Sequence, residues 1–184
     1  MKNVRNVTYG AMIVGLISIA LFFDRATGGM LSPMLSLPIA IPIIVYGIIF
    51  GMRDSVAVYI VSIIVSFLFS GMLPSMLMVV GYGGTALIYI YAYSKQLSNT
   101  RKNILMVLGL VLFYWIMIQF FGEYFGFSIP DTITFLSRIF PGLGASLFKF
   151  LAYFTVALTL LSEVVLINIA SSFMIVRLRL NVEK

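Results

Sequence analysis

Long apolar runs separated by short polar segments dominate the hydropathy pattern of this chain. A helix needs roughly 20 mostly apolar residues to cross a bilayer core of about 30 Å, and six runs meet or approach that length. They are Val7–Phe23, Leu37–Gly51, Ser55–Ser70, Leu73–Tyr93, Ile104–Phe121 and Phe148–Val176. The pattern predicts an all-α, polytopic membrane protein with six transmembrane helices.

The second run is short and contains Pro38 and Pro42, which are predicted to bend or delay its helix. The last run is long enough to tilt or to protrude from the bilayer. Between the fifth and sixth runs, the segment from 122 to 147 is aromatic and rich in glycine. Within it, Pro130-Asp131-Thr132 predicts the N-terminus of a further helix, with Asp131 as its cap.

Composition agrees with a lipid environment. Of 184 residues, 61% are hydrophobic and 10% charged, whereas charged residues make up about a quarter of a typical soluble domain. The absence of linkers or low-complexity segments predicts a single membrane domain over residues 1–184. The chain has no histidine and no cysteine, so thiolate and imidazole metal sites and histidine-based catalysis are excluded. We therefore expect no enzyme activity, no metal and no cofactor.

The net charge of +6 does not indicate nucleic-acid binding, because the basic residues lie in gaps between apolar runs instead of along one face with interleaved aromatics. Their placement predicts orientation, since cytoplasmic loops are enriched in lysine and arginine. With both termini inside, nine of the twelve basic residues are cytoplasmic. The nine are Lys2, Arg5, Arg53, Lys95, Arg101, Lys102, Arg177, Arg179 and Lys184. We expect a multi-pass protein of the cell membrane.

Glu163 is an ionisable residue near the middle of the last apolar run. A charged side chain at that depth costs about 2.5–3.5 kcal/mol on the insertion scale, so such residues are usually functional. Thr155, Thr159 and Glu163 recur at a spacing of four, which predicts one polar face directed into the bundle or a wet cavity. Two interpretations stay open: a ligand or proton site, and a hydrogen-bonded carboxylate that locks helices together.

The fifth run ends in a second polar series. Trp115, Gln119 and Glu123 are each four residues apart, and Tyr114 precedes the first. An indole, an amide and a carboxylate on one face are suited to stack on a flat heterocycle and hydrogen-bond its edge. The alternative is an interfacial aromatic with polar neighbours near the outer membrane surface.

The fourth run contains Gly81-Tyr82-Gly83-Gly84-Thr85. Small residues in a membrane helix let neighbouring backbones approach closely, so the glycines are predicted to serve helix packing. Tyr82 is a further candidate ligand contact. Tyr89, Tyr91 and Tyr93 are predicted to form the inner aromatic belt.

Ala11 and Gly15 form a small-xxx-small pair on the first helix. Such pairs mark close helix contacts, either within the chain or with a partner. The spacing alone does not distinguish the two.

The chain resembles the S components, the small substrate-binding membrane subunits of energy-coupling factor vitamin transporters. The resemblance covers the whole length. It consists of 184 residues, six helices with both ends inside, a long external first loop and the N-terminal run Asn6-Val7-Thr8-Tyr9-Gly10-Ala11-Met12-Ile13-Val14-Gly15. In this family an alanine-xxx-alanine pattern on the first helix contacts the coupling subunit, and Ala11 with Gly15 resembles it. Glycine in the second position departs from the pattern but keeps the residue small.

The resemblance implies a protein that captures a vitamin or precursor from outside, between the first external loop and helices four to six. It also implies three partners: a membrane-embedded coupling subunit and two cytosolic ATPases. The chain looks closest to S components for hydroxymethylpyrimidine, with pyridoxine, riboflavin and pantothenate as alternative ligands. A rival from another class is a membrane assembly protein in which Glu163 and Gln119 merely bridge helices.

Overall fold

All regular secondary structure in the described part of the chain is α-helical. The computed structural model describes residues 2–28, 34–70, 73–122, 129–140 and 145–178. Its helices are α1 (Lys2–Ala26), α2 (Ser36–Phe50), α3 (Met52–Ser70), α4 (Leu73–Ser94), α5 (Asn99–Phe121), α6 (Ile129–Ile139) and α7 (Ala145–Arg177). The prediction of an all-α fold is confirmed.

Four helices are long and apolar enough to cross a membrane: Val4–Ala26, Ser75–Ser94, Asn99–Phe121 and Ser146–Arg177. Helix α2 has 15 residues, and α3 has 19 residues with Arg53 and Asp54 in its first turn. Many large apolar side chains on α1, α5 and α7 are exposed, including Phe22, Leu112 and Phe154. Outward-facing apolar surface of this extent requires lipid as its solvent, so the protein is embedded in a membrane.

The delayed start expected for α2 and the cap expected for α6 are wrong in detail, whereas the bend expected at Pro38 and Pro42 stays a prediction. Pro38 does not delay α2, which begins at Ser36, because proline in a first turn occupies a position whose N–H needs no partner. Pro42 lies inside the same helix. Helix α6 begins at Ile129, so Asp131 falls within its first turn instead of preceding it as a cap.

Helix α4 lies at the centre of the bundle. Within its apolar window 61% of the residues are buried, compared with 17% in α1 and α5 and 22% in α7. It packs against α2, α3 and α5. The principal core combines α4 with residues of the surrounding helices, among them Ile43, Met106, Leu110 and Ile167, all fully buried.

Contacts near the helix termini give the helix directions. Asn6 Nδ2 donates a hydrogen bond to Asp54 Oδ2 at 2.6 Å, so α1 and α3 start side by side. A Cβ at Gly47, late in α2, would meet Ile90, late in α4. Lys102, early in α5, has its Nζ 4.4 Å from the ring centroid of Tyr89 in α4.

Tyr89 also interacts with Ser172, which lies late in α7. Helices α1, α3 and α5 therefore begin where α2, α4 and α7 end. We call this the basic end of the bundle, because the arginines Arg5, Arg53, Arg101 and Arg177 belong to it. These six helices alternate in direction along the chain.

Of the three glycines of α4 that were predicted to serve helix packing, Gly81 and Gly83 lie at close helix contacts and Gly84 does not. A Cβ at Gly83 would lie 2.5 Å from the ring of Tyr59 in α3. That ring cannot move away easily, because the Tyr59 hydroxyl donates to the carbonyl oxygen of Val80 at 2.9 Å. A Cβ at the adjacent Gly84 would meet only the Tyr59 hydroxyl, at an ordinary 3.7 Å.

We expect Gly83→Ala to lower the thermal unfolding midpoint of the purified protein. Overpacking a closed helix contact costs about 1–3 kcal/mol, which exceeds the gain in helix propensity of up to about 1 kcal/mol from replacing glycine. Gly84→Ala is the matched control and should be neutral or stabilising. A midpoint for Gly83→Ala equal to or above that of Gly84→Ala would contradict this packing.

Candidate functional site

Glu163 is buried inside the bundle, with an exposed fraction of 5%. It lies on the face of α7 that also carries Leu160, Val164 and Ile167, all buried. A carboxyl group in such surroundings is costly unless other groups hydrogen-bond it.

Two phenols supply hydrogen bonds to one oxygen of this carboxyl group. The Tyr82 hydroxyl lies 2.7 Å from Glu163 Oε1, and the Tyr114 hydroxyl lies 3.0 Å from the same oxygen. The two phenol oxygens are 3.1 Å apart. We call Tyr82, Tyr114 and Glu163 the carboxyl–phenol triad; it joins α4, α5 and α7.

The second oxygen, Glu163 Oε2, is buried and has no hydrogen-bond partner within the described part of the chain. Each phenol has one proton, and either phenol can instead donate to the other. An ionised carboxylate therefore has an Oε2 that lacks a donor. A carboxyl group protonated on Oε1 can donate to a phenol oxygen, and its Oε2 also lacks a donor; one protonated on Oε2 has an O–H that lacks an acceptor. Each state leaves hydrogen-bonding capacity unused, at a cost of about 1–3 kcal/mol for a neutral group and more for a charged one.

The glycine-rich sequence of α4 explains how the two tyrosines come together. A Cβ at Gly81 would collide with the ring of Phe113 in α5, so only glycine allows the two helices to approach this closely. Phe113 packs against both triad phenols: its ring centroid is 6.3 Å from that of Tyr82 and 5.6 Å from that of Tyr114, in an edge-to-face arrangement. Aromatic rings thus surround the carboxyl group on the α5 side.

Trp115 and Gln119 are not part of this triad. Trp115 is 58% exposed, its ring contacts Phe120, and Gln119 is exposed as well. Their spacing of four does place them on one face, but the inward face of α5 carries Leu110, Tyr114 and Met117. Since successive residues in a helix are about 100° apart, Trp115 and Gln119 point to the opposite side. Glu123 lies outside the described residues.

The predicted polar face of α7 does not persist along the helix. Thr155 and Thr159 are exposed, and their hydroxyls donate to the backbone carbonyls of Leu151 and Thr155 at 2.9 and 3.0 Å. A step of four residues overshoots one helical turn by about 40°. Two steps therefore turn Thr155 about 80° away from Glu163, out of the bundle.

Ala11 and Gly15 lie on the outer face of α1. Both are exposed, and a Cβ at Gly15 would meet no described heavy atom within 4 Å. The small pair therefore does not serve packing among the described helices, and it is accessible to another molecule in the membrane.

A second buried polar group lies closer to the basic end and was not expected from the sequence. Lys102 is only 6% exposed, and its Nζ lies 3.5 Å from the Tyr89 hydroxyl as well as over the Tyr89 ring. Tyr89 is buried and is therefore not part of an aromatic belt, whereas Tyr91 is 49% exposed, as a belt residue would be. The sequence does not distinguish Lys102 from other lysines next to a loop. No periodic pattern of polar residues includes it, so its burial could not be predicted.

The triad is suited to hydrogen-bond recognition in a dry, aromatic setting. It offers one acceptor or donor at Oε2, and aromatic rings lie beside it. The described residues contain no group of three or more acidic, histidine or cysteine side chains that could hold a metal ion. Comparison of the chain with protein-family profiles, curated proteins and solved structures finds no match.

Proposed function

We propose that this chain is a membrane-embedded binding protein for a small organic molecule that hydrogen-bonds to Glu163. The observation that carries the proposal is the buried Oε2 atom, which has no partner in the described residues while Oε1 has two. A group that served only to fix helices would gain stability from satisfying both oxygens. A ligand that donated a hydrogen bond to Oε2 would satisfy this oxygen.

The chemistry of the triad favours a flat, nitrogen-containing ring as ligand. An amino group or a protonated ring nitrogen donates to a carboxylate, and a charge-assisted bond of that kind is about twice as strong as a neutral one. The rings of Phe113, Tyr82 and Tyr114 provide aromatic surface next to the carboxyl group. Hydroxymethylpyrimidine, the ligand suggested by the resemblance to S components, has this chemistry; pyridoxine, riboflavin and pantothenate are the alternatives.

The alternating helix directions support six membrane spans with both termini in the cytoplasm. With the basic end inside, Arg5, Arg53, Arg101 and Arg177 follow the positive-inside rule. Tyr114 is twelve residues beyond Lys102 along α5, so the triad lies about 18 Å further from the cytoplasm at 1.5 Å per residue. A site at that depth, in the outer half of the bundle, suits capture from outside the bacterial plasma membrane.

Transport by such a subunit would need partners. The resemblance to S components suggests a membrane-embedded coupling subunit and two cytosolic ATPases. The exposed Ala11 and Gly15 are the proposed contact with the coupling subunit, because small residues permit close helix approach in lipid. The chain itself contains no nucleotide-binding motif, which fits this division of labour.

One observation favours a second candidate, a membrane assembly protein. The triad joins three helices, and a bundle could use it as a structural bridge alone. The two candidates differ in one measurable respect: only a binding protein is stabilised by a small ligand, by RT ln(1 + [L]/Kd).

We expect hydroxymethylpyrimidine to raise the thermal unfolding midpoint of the purified protein. At a concentration 100 times Kd, stabilisation amounts to about 2.7 kcal/mol, which shifts the midpoint of a protein of this size by several degrees. Pyridoxine, riboflavin and pantothenate would be measured in parallel, together with Tyr82→Phe, which removes one phenol donor. A midpoint unmoved by all four compounds would favour the assembly protein.

A further inference from the structure

Three oxygen atoms of the carboxyl–phenol triad lie within hydrogen-bond distance of one another. Glu163 Oε1 is 2.7 Å from the Tyr82 hydroxyl and 3.0 Å from the Tyr114 hydroxyl, and the two hydroxyls are 3.1 Å apart. The three contacts form a closed triangle. Two oxygens at such distances attract each other when a proton lies between them. How well the triangle is satisfied therefore depends on the number of protons that it holds.

The proton count differs between the two states of Glu163. With the carboxylate ionised, the triangle contains two protons, one from each phenol, so one of its three contacts has no proton. With the carboxyl group protonated on Oε1, the triangle contains three protons for three contacts. Each oxygen then donates once and accepts once, and the hydrogen bonds of such a ring strengthen one another. The geometry of the triad therefore favours a protonated Glu163.

The surroundings of Glu163 favour the same state. Its two hydrogen-bond partners in the described chain are neutral phenols, and no described group is bonded to Oε2. The other titratable side chains described on α7 and on the helices packed against it are exposed or engaged elsewhere. They are Lys149, Tyr153 and Arg177 on α7, Tyr46 on α2, Arg101 and Lys102 on α5, and Arg138 on α6. A carboxylate buried without a compensating charge is costly, and protonation avoids that cost.

We propose that the ligand-free triad holds a proton on Glu163 Oε1, and that the ligand is a weak nitrogen base which accepts this proton. The O–H bond of the carboxyl group breaks and an N–H bond forms on the ligand, so no proton is exchanged with water. The ligand is then a cation that donates to Oε2, while both phenols donate to Oε1. A charge-assisted pair replaces the neutral ring. The first part concerns this chain alone, whereas the second rests on the proposed function.

Infrared spectroscopy of the dialysed, ligand-free protein in an ester-free detergent tests the first part. A protonated carboxyl group has a C=O stretching band that a carboxylate lacks. We expect this band at neutral pH, where exposed carboxyl groups with pKa values of about 4 are ionised, and we expect Glu163→Gln to lose it. Asp24→Asn is the matched control and should keep the band, because it removes another buried carboxyl group, 2% exposed. Tyr82→Phe removes one member of the ring and should shift the band.

Three results would overturn the first part: no band in the wild type, a band that survives in Glu163→Gln, or a band that disappears in Asp24→Asn. Thermal unfolding of each variant shows whether it is folded. If Glu163→Gln is not, the wild-type band and its shift in Tyr82→Phe decide the matter, and an unshifted band in Tyr82→Phe contradicts the ring.

Calorimetric titration with hydroxymethylpyrimidine, in two buffers of different ionisation enthalpy, tests the second part by measuring the protons exchanged on binding. Well above the pKa of the ring nitrogen of the ligand, we expect no net exchange, because Glu163 supplies the proton. Well below that pKa the ligand arrives as a cation, so about one proton should be released. Uptake of about one proton in the first condition and none in the second would show that Glu163 is ionised before binding, which overturns the proposal. Absence of binding would contradict the proposed function and the second part with it, whereas the infrared band decides the first part independently.

Discussion

Glu163→Gln is expected to weaken the binding of hydroxymethylpyrimidine about 10- to 150-fold, the equivalent of about 1.5–3 kcal/mol for a hydrogen bond to a charged group. If another vitamin from the same panel stabilises the wild type, the same loss should apply to that ligand. Glutamine keeps the size of the side chain and an oxygen that can accept from Tyr82 and Tyr114. It replaces Oε2, however, with an amide nitrogen that can only donate. Isothermal titration calorimetry on the purified protein measures the change.

Tyr153→Phe is the matched control for the tyrosine variants of this site. Tyr153 lies on α7, as Glu163 does, but is 52% exposed, so its variant should bind as the wild type does. Tyr82→Phe removes one of the two donors to Oε1 and should fall between the control and Glu163→Gln. Affinity unchanged in Glu163→Gln, with the protein folded, would remove the triad from the binding site.

Ala11→Leu and Gly15→Leu are expected to reduce vitamin uptake about tenfold or more when the chain is expressed with the coupling subunit and ATPases that we propose as its partners. Each substitution adds a bulky side chain to a surface proposed to approach another helix closely, and overpacking costs about 1–3 kcal/mol. Binding of the vitamin by the isolated subunit should stay within about twofold of wild type, because both residues are exposed on α1, whereas the triad residues lie on α4, α5 and α7. Uptake in whole cells and calorimetry on the isolated subunit measure the two effects.

Met12→Leu serves as the control for these variants, because Met12 is 59% exposed between the two small residues and the exchange conserves volume. It should leave uptake near the wild-type rate. Loss of vitamin binding with intact assembly, in either Ala11→Leu or Gly15→Leu, would contradict the assignment of α1 to partner contact.

The helices could be predicted from the sequence because lipid imposes a length on apolar runs. The run Leu73–Tyr93 became α4 with one residue added, Ser94, and Leu37–Gly51 became α2 shifted by a single residue. Glu163 stood out for the same reason, since an ionisable residue in mid-span is costly and is expected to be buried among partners. In the structure Glu163 has two hydrogen-bond partners, Tyr82 and Tyr114.

The composition of the site could be predicted only in part, because a spacing of four shows that residues share a face without showing which way the face points. Trp115 and Gln119 share a face, and it points outward. Tyr114, one residue earlier, turns inward and reaches Glu163. Burial of Lys102 depends on the position of Tyr89 in another helix, which no periodicity in α5 encodes.

The most direct test of the account is mass spectrometry of the small molecules that copurify with the protein from bacterial membranes, compared between wild type and Glu163→Gln. We expect a flat, nitrogen-containing compound to copurify with the wild type in a near-equal molar amount and to be strongly depleted from Glu163→Gln. Equal amounts in the two preparations, or no small molecule with the wild type, would contradict it.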